Sequence, residues 1–311
     1  ALMRLYHSPK APNPERVVQF LRAKGNVQRM KVFTNETLGE TFVSDGEVPN
    51  WKRLYGRRER YKIGSLPKGV LVITAGVDIQ HDRIEASIHG YGRSMECWVL
   101  DYAVLPGDTI TAVPWDALGR LLARHYSNDA MTLPIAGMAI DSADGARTQT
   151  VYRWVREKGQ TGRVFAIKGS KTLDQPFAPP VSKDVNVGGR RIWNGVKLYM
   201  IGADILKLES YAFLRGLPPA KPGQPLPYGF VHFPQLGEEY FRQLTAAAWA
   251  ETVDKNGYAT RAFKKIRARN EALDTFCYAR AAAAILGIDR WQESDWAAIE
   301  LSRLPDAEPV L

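Results

Sequence analysis

Three aspartates stand where a carboxylate is expensive. Asp274 lies inside "RNEALDTFCYARAAAA", residues 269–284, which reads as a helix apolar nearly all the way round; Cys277, Tyr278, Ala281 and Ile285 share its side. Asp78 closes the apolar run "ITAGVD", and Asp141 closes "GMAID". A carboxylate taken out of water is costly unless it is paired, hydrogen-bonded or bound to a cation. A buried ion pair with an arginine is the plain structural account of Asp274. The chemical account joins all three: acids at the C-terminal ends of neighbouring strands, faced by one from a helix, converge on a point. Like charges that close stay ionised only beside cations, and hard oxygen ligands suit Mg²⁺ or Mn²⁺. In a two-ion site one ion generates hydroxide and the other steadies the leaving oxygen during displacement at phosphorus, the chemistry that cuts nucleic acid.

The elements that must position these acids follow from hydrophobic periodicity. Pro67 and Gly69 punctuate the entry to "VLVITAGVDIQ", a strongly apolar strand. "RIEASIHGYG" alternates from Ile84, and "MECWVLDYAV" follows a tight turn at Gly92–Ser94, giving a three-strand meander. The pattern then predicts a helix over 114–126, a strand over 135–141, a helix over 148–158 and a strand over 163–169. Gly188-Gly189 marks a hairpin, "VKLYMIG" a strand and "ADILKLESYAFLRG" a helix; residues 217–229 are a Pro/Gly-rich loop. "FVHFP" is a short strand, 238–249 a helix, "GYATRAFKKI" a strand, and 294–302 a weak helix. Near the start a short helix is expected over Pro14–Lys24. The order describes an α/β mixed sheet, three antiparallel strands then parallel ones, with helices on both faces.

The 311 residues, 45% of them hydrophobic, suffice for a real core. No run approaches the roughly 18 apolar residues that span a bilayer, and the start lacks a signal-peptide core, so a soluble, non-exported protein is expected. Cys97 and Cys277 fit buried thiols in a reducing compartment. Forty-two Lys and Arg against 33 Asp and Glu give a charge of +9, which favours a polyanionic partner. "WKRLYGRRERYKIG" interleaves Arg57, Arg58 and Arg60 with aromatics, and "FKKIRARN" places Lys264 and Lys265 just before the acid-bearing helix. Both can follow a phosphate backbone, although a solvated basic face explains either one alone.

The strand order and acid placement match the layout of ribonuclease H-like nucleases. Within that class, "VFTNETLGETF", "LYGRRERY", "GVLVITAGVDIQ", "AIDSADG", "VFAIKG", "VHFP", "QLTA" and "RNEALDTFCYA" resemble, in order, segments of the lambda-type large terminase subunit of tailed phages. The resemblance runs from about residue 31 to 288. It implies the endonuclease of a DNA-packaging motor, cutting concatemeric viral DNA into genome units in the host cytoplasm. It also implies double-stranded DNA, the small terminase subunit and the portal or prohead as partners. No GxxxxGK[ST] phosphate loop occurs, so the motor's ATPase domain is expected to be missing. The expected division is a connector arm over 1–66, a nuclease domain over 67–288 and a tail over 289–311.

Carried over by motif, Asp78, Asp141 and Asp274 correspond to the family's metal ligands, with two Mg²⁺ or Mn²⁺ ions. Glu271, one turn before Asp274, is a candidate further ligand or orienter of a basic side chain; a first-turn acid favourable to the helix dipole is its ordinary role. Lys168, ending "AIK", is a candidate phosphate-holding group. Where the family shows Glu after "QLTA", this chain has Ala247, with Glu251 one helical turn later as the candidate replacement. Asp144 is either loop polarity or an outer ligand, and His81 a turn histidine near the substrate path. The five histidines make no zinc spacing. The competing expectations are a non-catalytic DNA-binding and docking module of the motor, or another ribonuclease H-like nuclease such as a resolvase or transposase core.

Overall fold

The computed structural model describes residues 48–303 apart from 160–161, 220, 222 and 254–258, together with Val18, Gln19, Arg22 and Phe33. Of the arm expected over 1–66, residues 48–66 are described; the rest, with the helix expected over Pro14–Lys24, lies outside the described residues apart from those four positions.

Strand β1 (Val72–Ile79) is buried along its whole length, as an apolar run covered on both faces requires. It pairs antiparallel with β2 (Arg83–Tyr91), and β2 antiparallel with β3 (Cys97–Pro106), the meander expected from the sequence. On its other side β1 runs parallel to β5 (Thr132–Asp141), β5 to β6 (Val164–Ser170), and β6 to β8 (Arg190–Gly202). At one edge β7 (Val181–Val187) forms a hairpin with β8 through Gly188 and Gly189, both at positive φ; at the other, β9 (Val231–His232) pairs with β3. The order β7-β8-β6-β5-β1-β2-β3-β9 is the mixed, ribonuclease H-like sheet anticipated above.

Two cores flank the sheet, and the two-residue period of a strand assigns side chains to them. Ile73, Ala75 and Val77 of β1, with Met138 and Ile140 of β5, face α2 (Val113–Leu122) and α3 (Thr148–Lys158). Thr74, Gly76 and Asp78 alternate with them and so face α6 (Glu271–Leu286), as do Gly137, Ala139 and Asp141 of β5. Both strand-end acids therefore point toward the helix that carries Asp274. The helix can lie close because its facing residues are small: Ala279 and Ala281–Ala284 are buried, and the Thr74 hydroxyl donates to the Ala279 carbonyl at 2.8 Å. A Cβ at position 76 would overlap the Thr275 carbonyl oxygen and the Ala279 nitrogen.

Two expected helices are shorter than the periodicity suggested. The first ends at Leu122, and β4 (His125–Ser127) follows, paired with β5. The second, α5 (Glu238–Leu244), gives way to β10 (Ala247–Val253), paired with β11 (Ala259–Lys265). An alanine-rich segment with good helix propensity is drawn into a strand by its partner strand and by the Tyr211 hydroxyl, which donates to the Ala247 carbonyl at 2.7 Å and accepts from its N–H at 3.2 Å. Glu251 consequently stands four positions along a strand from Ala247, not one helical turn beyond it, and its side chain lies outside the described residues. After α6, helix α7 (Glu293–Leu301) buries Trp296, which packs edge-on against Trp291.

Gly76→Ala should destabilise the fold by about 1–3 kcal/mol, because backbone on both sides cannot give way. Gly119→Ala, in a helix with nothing within 4 Å of the new methyl, should be neutral or stabilising by up to about 1 kcal/mol. Denaturant melts of the two variants check the contrast.

Candidate active site

The shared face sets the electrostatics. Burial is the main cause that raises the Asp78 pKa to about 7; the charges of Asp274, Asp141 and Glu271 add to it, against a lowering hydrogen bond from Gln80. Asp141, half-buried, is raised to about 6, again chiefly by burial; the Ala143 N–H opposes this, Asp274 reinforces it, and the Lys168 charge works against it. Tyr278, on α6, is held neutral by burial first and then by the fields of Asp141, Asp274 and Asp78. The three acids thus sense one another across the seam between sheet and helix.

Each acid is also drawn to a donor of its own. Gln80 Nε2 donates to Asp78 Oδ2 at 2.5 Å, and the Ala143 N–H to Asp141 Oδ1 at 3.1 Å. Asp274 takes the Asn270 amide on Oδ2 and pairs through Oδ1 with Lys207 Nζ at 3.2 Å, from α4 (Ala203–Arg215). Among the described residues no three His, Cys, Asp or Glu side chains are gathered as a ready-made ion cage. The donor set nonetheless fits a hard divalent cation: three carboxylates on one face, two of them resisting ionisation in part because of their neighbours, is the charge arrangement such an ion relieves.

Glu271 sits beside this group, between Arg83 Nη2 at 3.3 Å and Arg269 Nε at 3.2 Å. The same arginines clasp Glu85 at 2.5 Å each, and Tyr102 donates to its other oxygen. Glu85 is fully buried on the α6-facing side of β2, in register with Asp78. A basic partner for Glu271 was among the expectations; the part of Glu85 was not anticipated, although its signal is in the sequence: Glu85, Ser87 and His89 put polar groups on every second position of an otherwise apolar strand. Lys207 was missed as well; it lies one turn before the buried Ser210 and Tyr211, a position that marks it as half-buried.

A second network ties together the loops that follow Asp78 and Asp141. Arg147, 5% exposed, donates through Nε to the Thr109 hydroxyl at 2.6 Å and through Nη1 to Asp144 at 3.0 Å. Its Nη2 lies 2.6 Å from His81 Nδ1, and since arginine only donates, that ring nitrogen accepts. Asp144 is held by its hydrogen bonds from the Ala146 N–H and then Arg147, which lower its pKa.

The basic candidates divide. Arg57 donates to the carbonyls of Leu214, Gly216 and Val231 at 2.6–3.1 Å and lies over Phe230. Arg58 donates to the carbonyls of Tyr55 and Leu236 and stacks 3.5 Å over Tyr55. Both guanidiniums are engaged inside the fold, around α1 (Trp51–Gly56), whereas Arg60, Lys264 and Lys265 are exposed. Lys168 is exposed at the end of β6, on the side of Val164 and Ala166 rather than that of Phe165 and Ile167.

Residues 6–296 match the family model described as terminase large subunit gpA, endonuclease domain. The chain is 32% identical over 297 residues to the terminase large subunit of Escherichia phage lambda, and 28% identical over 292 residues to that of Enterobacteria phage P21. Each match covers 92% of this chain and 43% of the relative, so the chain spans less than half the length of the relatives it matches. A crystal structure of the large terminase nuclease from thermophilic phage G20c with bound magnesium aligns over 75% of this chain and 97% of that one, at 10% identity and a TM-score of 0.39.

The raised acids give the metal-free protein a pH signature. A carboxyl whose folded pKa lies above its unfolded value of about 4 is fully tolerated below that value and costs stability as pH climbs toward the folded one. With Asp78 at about 7 and Asp141 at about 6, stability in chelator should fall between about pH 4 and 7. Asp78→Asn should flatten the fall and melt above the parent at pH 8; a parent–variant gap that does not widen with pH contradicts this.

Proposed function

The chain belongs to the terminase large subunit gpA endonuclease-domain family, and from that premise we propose that it is the divalent-metal-dependent endonuclease of a phage DNA-packaging terminase, cutting concatemeric viral DNA into genome units. The observation that carries the reading is the placement of Asp78, Asp141 and Asp274 on the two sides of one sheet–helix seam, close enough for the charge of Asp274 to add to the raised pKa of both strand-end acids. These three carboxylates would hold two Mg²⁺ or Mn²⁺ ions. The ions would supply Lewis-acid charge and a water acidic enough to attack phosphorus at neutral pH.

The protein's own groups do the rest. The seam between β1, β5 and α6 keeps the carboxylates in register, and the Arg147 network fixes the loops that leave Asp78 and Asp141. Arg83 and Arg269 hold Glu271 beside Asp78, where it can serve as a further ligand or anchor the ligand helix. Exposed Lys168, Arg60, Lys264 and Lys265 would neutralise backbone phosphates without reading bases, which suits cutting of duplex DNA delivered by other parts of the machine. Those parts would be an N-terminal ATPase domain, the small terminase subunit and the portal of the prohead, with the host cytoplasm as the place of action.

Asp78→Ala, Asp141→Ala and Asp274→Ala should each lower Mn²⁺-dependent plasmid cleavage by roughly a thousandfold or more, several kcal/mol of transition-state stabilisation. Removing Asp78 or Asp141 relieves repulsion and should leave the metal-free fold intact, whereas Asp274→Ala strands the Lys207 ammonium and should melt lower than the other two while still folding. Nicking assays and thermal melts decide it. A variant that cuts at the parent rate, or three variants that all unfold, would refute the assignment and favour a non-catalytic docking module.

A further inference from the structure

Of the three acids, Asp274 alone is paired with a full positive charge among the described residues. Lys207 Nζ lies 3.2 Å from Oδ1 while the Asn270 amide takes Oδ2, so both oxygens of Asp274 are engaged. Asp78 and Asp141 accept from neutral donors, the Gln80 amide and the Ala143 N–H. The Lys207 stem runs through the interface between α4 and α6, leaving its side chain 20% exposed, and α4 packs on the ligand helix. An ammonium at the end of a packed stem cannot swing into solvent as freely as a surface lysine, yet it must leave Oδ1 before that oxygen can take another cation.

We propose that Lys207 is the resident counter-cation of Asp274, competing with a divalent ion for it, so that the position served by Asp78 and Asp141 fills first and the one that needs Asp274 fills last. This rests on the divalent-ion reading of the site. It assigns Lys207 a positioning role: it holds the ligand helix in its metal-free charge balance and sets the gap between the two binding steps.

The test counts bound Mn²⁺ by electron paramagnetic resonance in the parent chain, Lys207→Met and Lys168→Met. Methionine keeps the buried stem without the charge. The weaker Mn²⁺ dissociation constant should tighten about tenfold in Lys207→Met, the size of one charge-assisted hydrogen bond, while the tighter one stays near the parent value. Lys168→Met removes a nearby charge that does not touch Asp274 and should change the weaker constant far less. The inference is overturned if Lys207→Met leaves both constants unchanged or loosens them, or if Lys168→Met tightens the weaker one equally, which is a field effect alone. Should Lys207→Met fail to fold, Lys207→Gln takes its place with the same readout. Absence of Mn²⁺ binding in all three proteins would sink the metal-dependent reading itself.

Discussion

Like charges confined on a buried face are the constraint on which the rest of the structure depends. Asp78, Asp141 and Asp274 face one another because two parallel strands end together and a small-residue helix lies against them, with no Cβ at position 76 to hold it away. Such a helix would tend to back away from the sheet to separate the charges, and it is pinned at its far end. Arg280, 1% exposed, pairs with Glu209 at 3.0 Å and with Asp289 at 2.8 Å, binding α6 to α4 and to the chain beyond it. A buried pair of this kind adds little net stability compared with well-packed apolar residues, but losing one partner strands a charge, so it fixes position more than it strengthens the fold. The pKa shifts at Asp78 and Asp141 are the stored consequence: the fold holds acids where ionisation is disfavoured, the condition under which a divalent ion has most to gain.

The same constraint shows why the surroundings are rich in arginine. Glu85 and Glu271 would otherwise add two more negative charges beside Asp78; Arg83 and Arg269 absorb both. Arg147 plays a related part at the strand ends, turning two loops into one braced unit. Several of the basic residues are therefore used inside the molecule. Arg57 and Arg58 make the point most directly, since a basic, aromatic stretch that suggests phosphate contact proves to be stitched to carbonyls of 214–236.

What was legible in the sequence follows the same physics. The meander, the strand ends at Asp78 and Asp141, and the helix around Asp274 are written in local periodicity, and alternation alone puts Thr74, Gly76 and Asp78 on one side. The misjudged segments are those where a distant partner overrides local preference: the chain after Leu122 is recruited by β5, and the alanines after Leu244 by β11 and Tyr211. Lys207 and Glu85 belong to a third kind. Their types and positions were visible, but their significance depends on which element they meet, and only the packing of α4 and β2 against α6 supplies that.

Everything proposed for the site requires that the three aspartates share bound cations. The most direct measurement of this is a crystal of the chain soaked in Mn²⁺ and recorded at a wavelength where manganese scatters anomalously. Anomalous peaks are expected on the seam between β1, β5 and α6, within roughly 2–2.3 Å of carboxylate oxygens from Asp78, Asp141 and Asp274. Manganese bound elsewhere, or a seam without any peak in which Asp274 still rests on Lys207, would contradict that requirement.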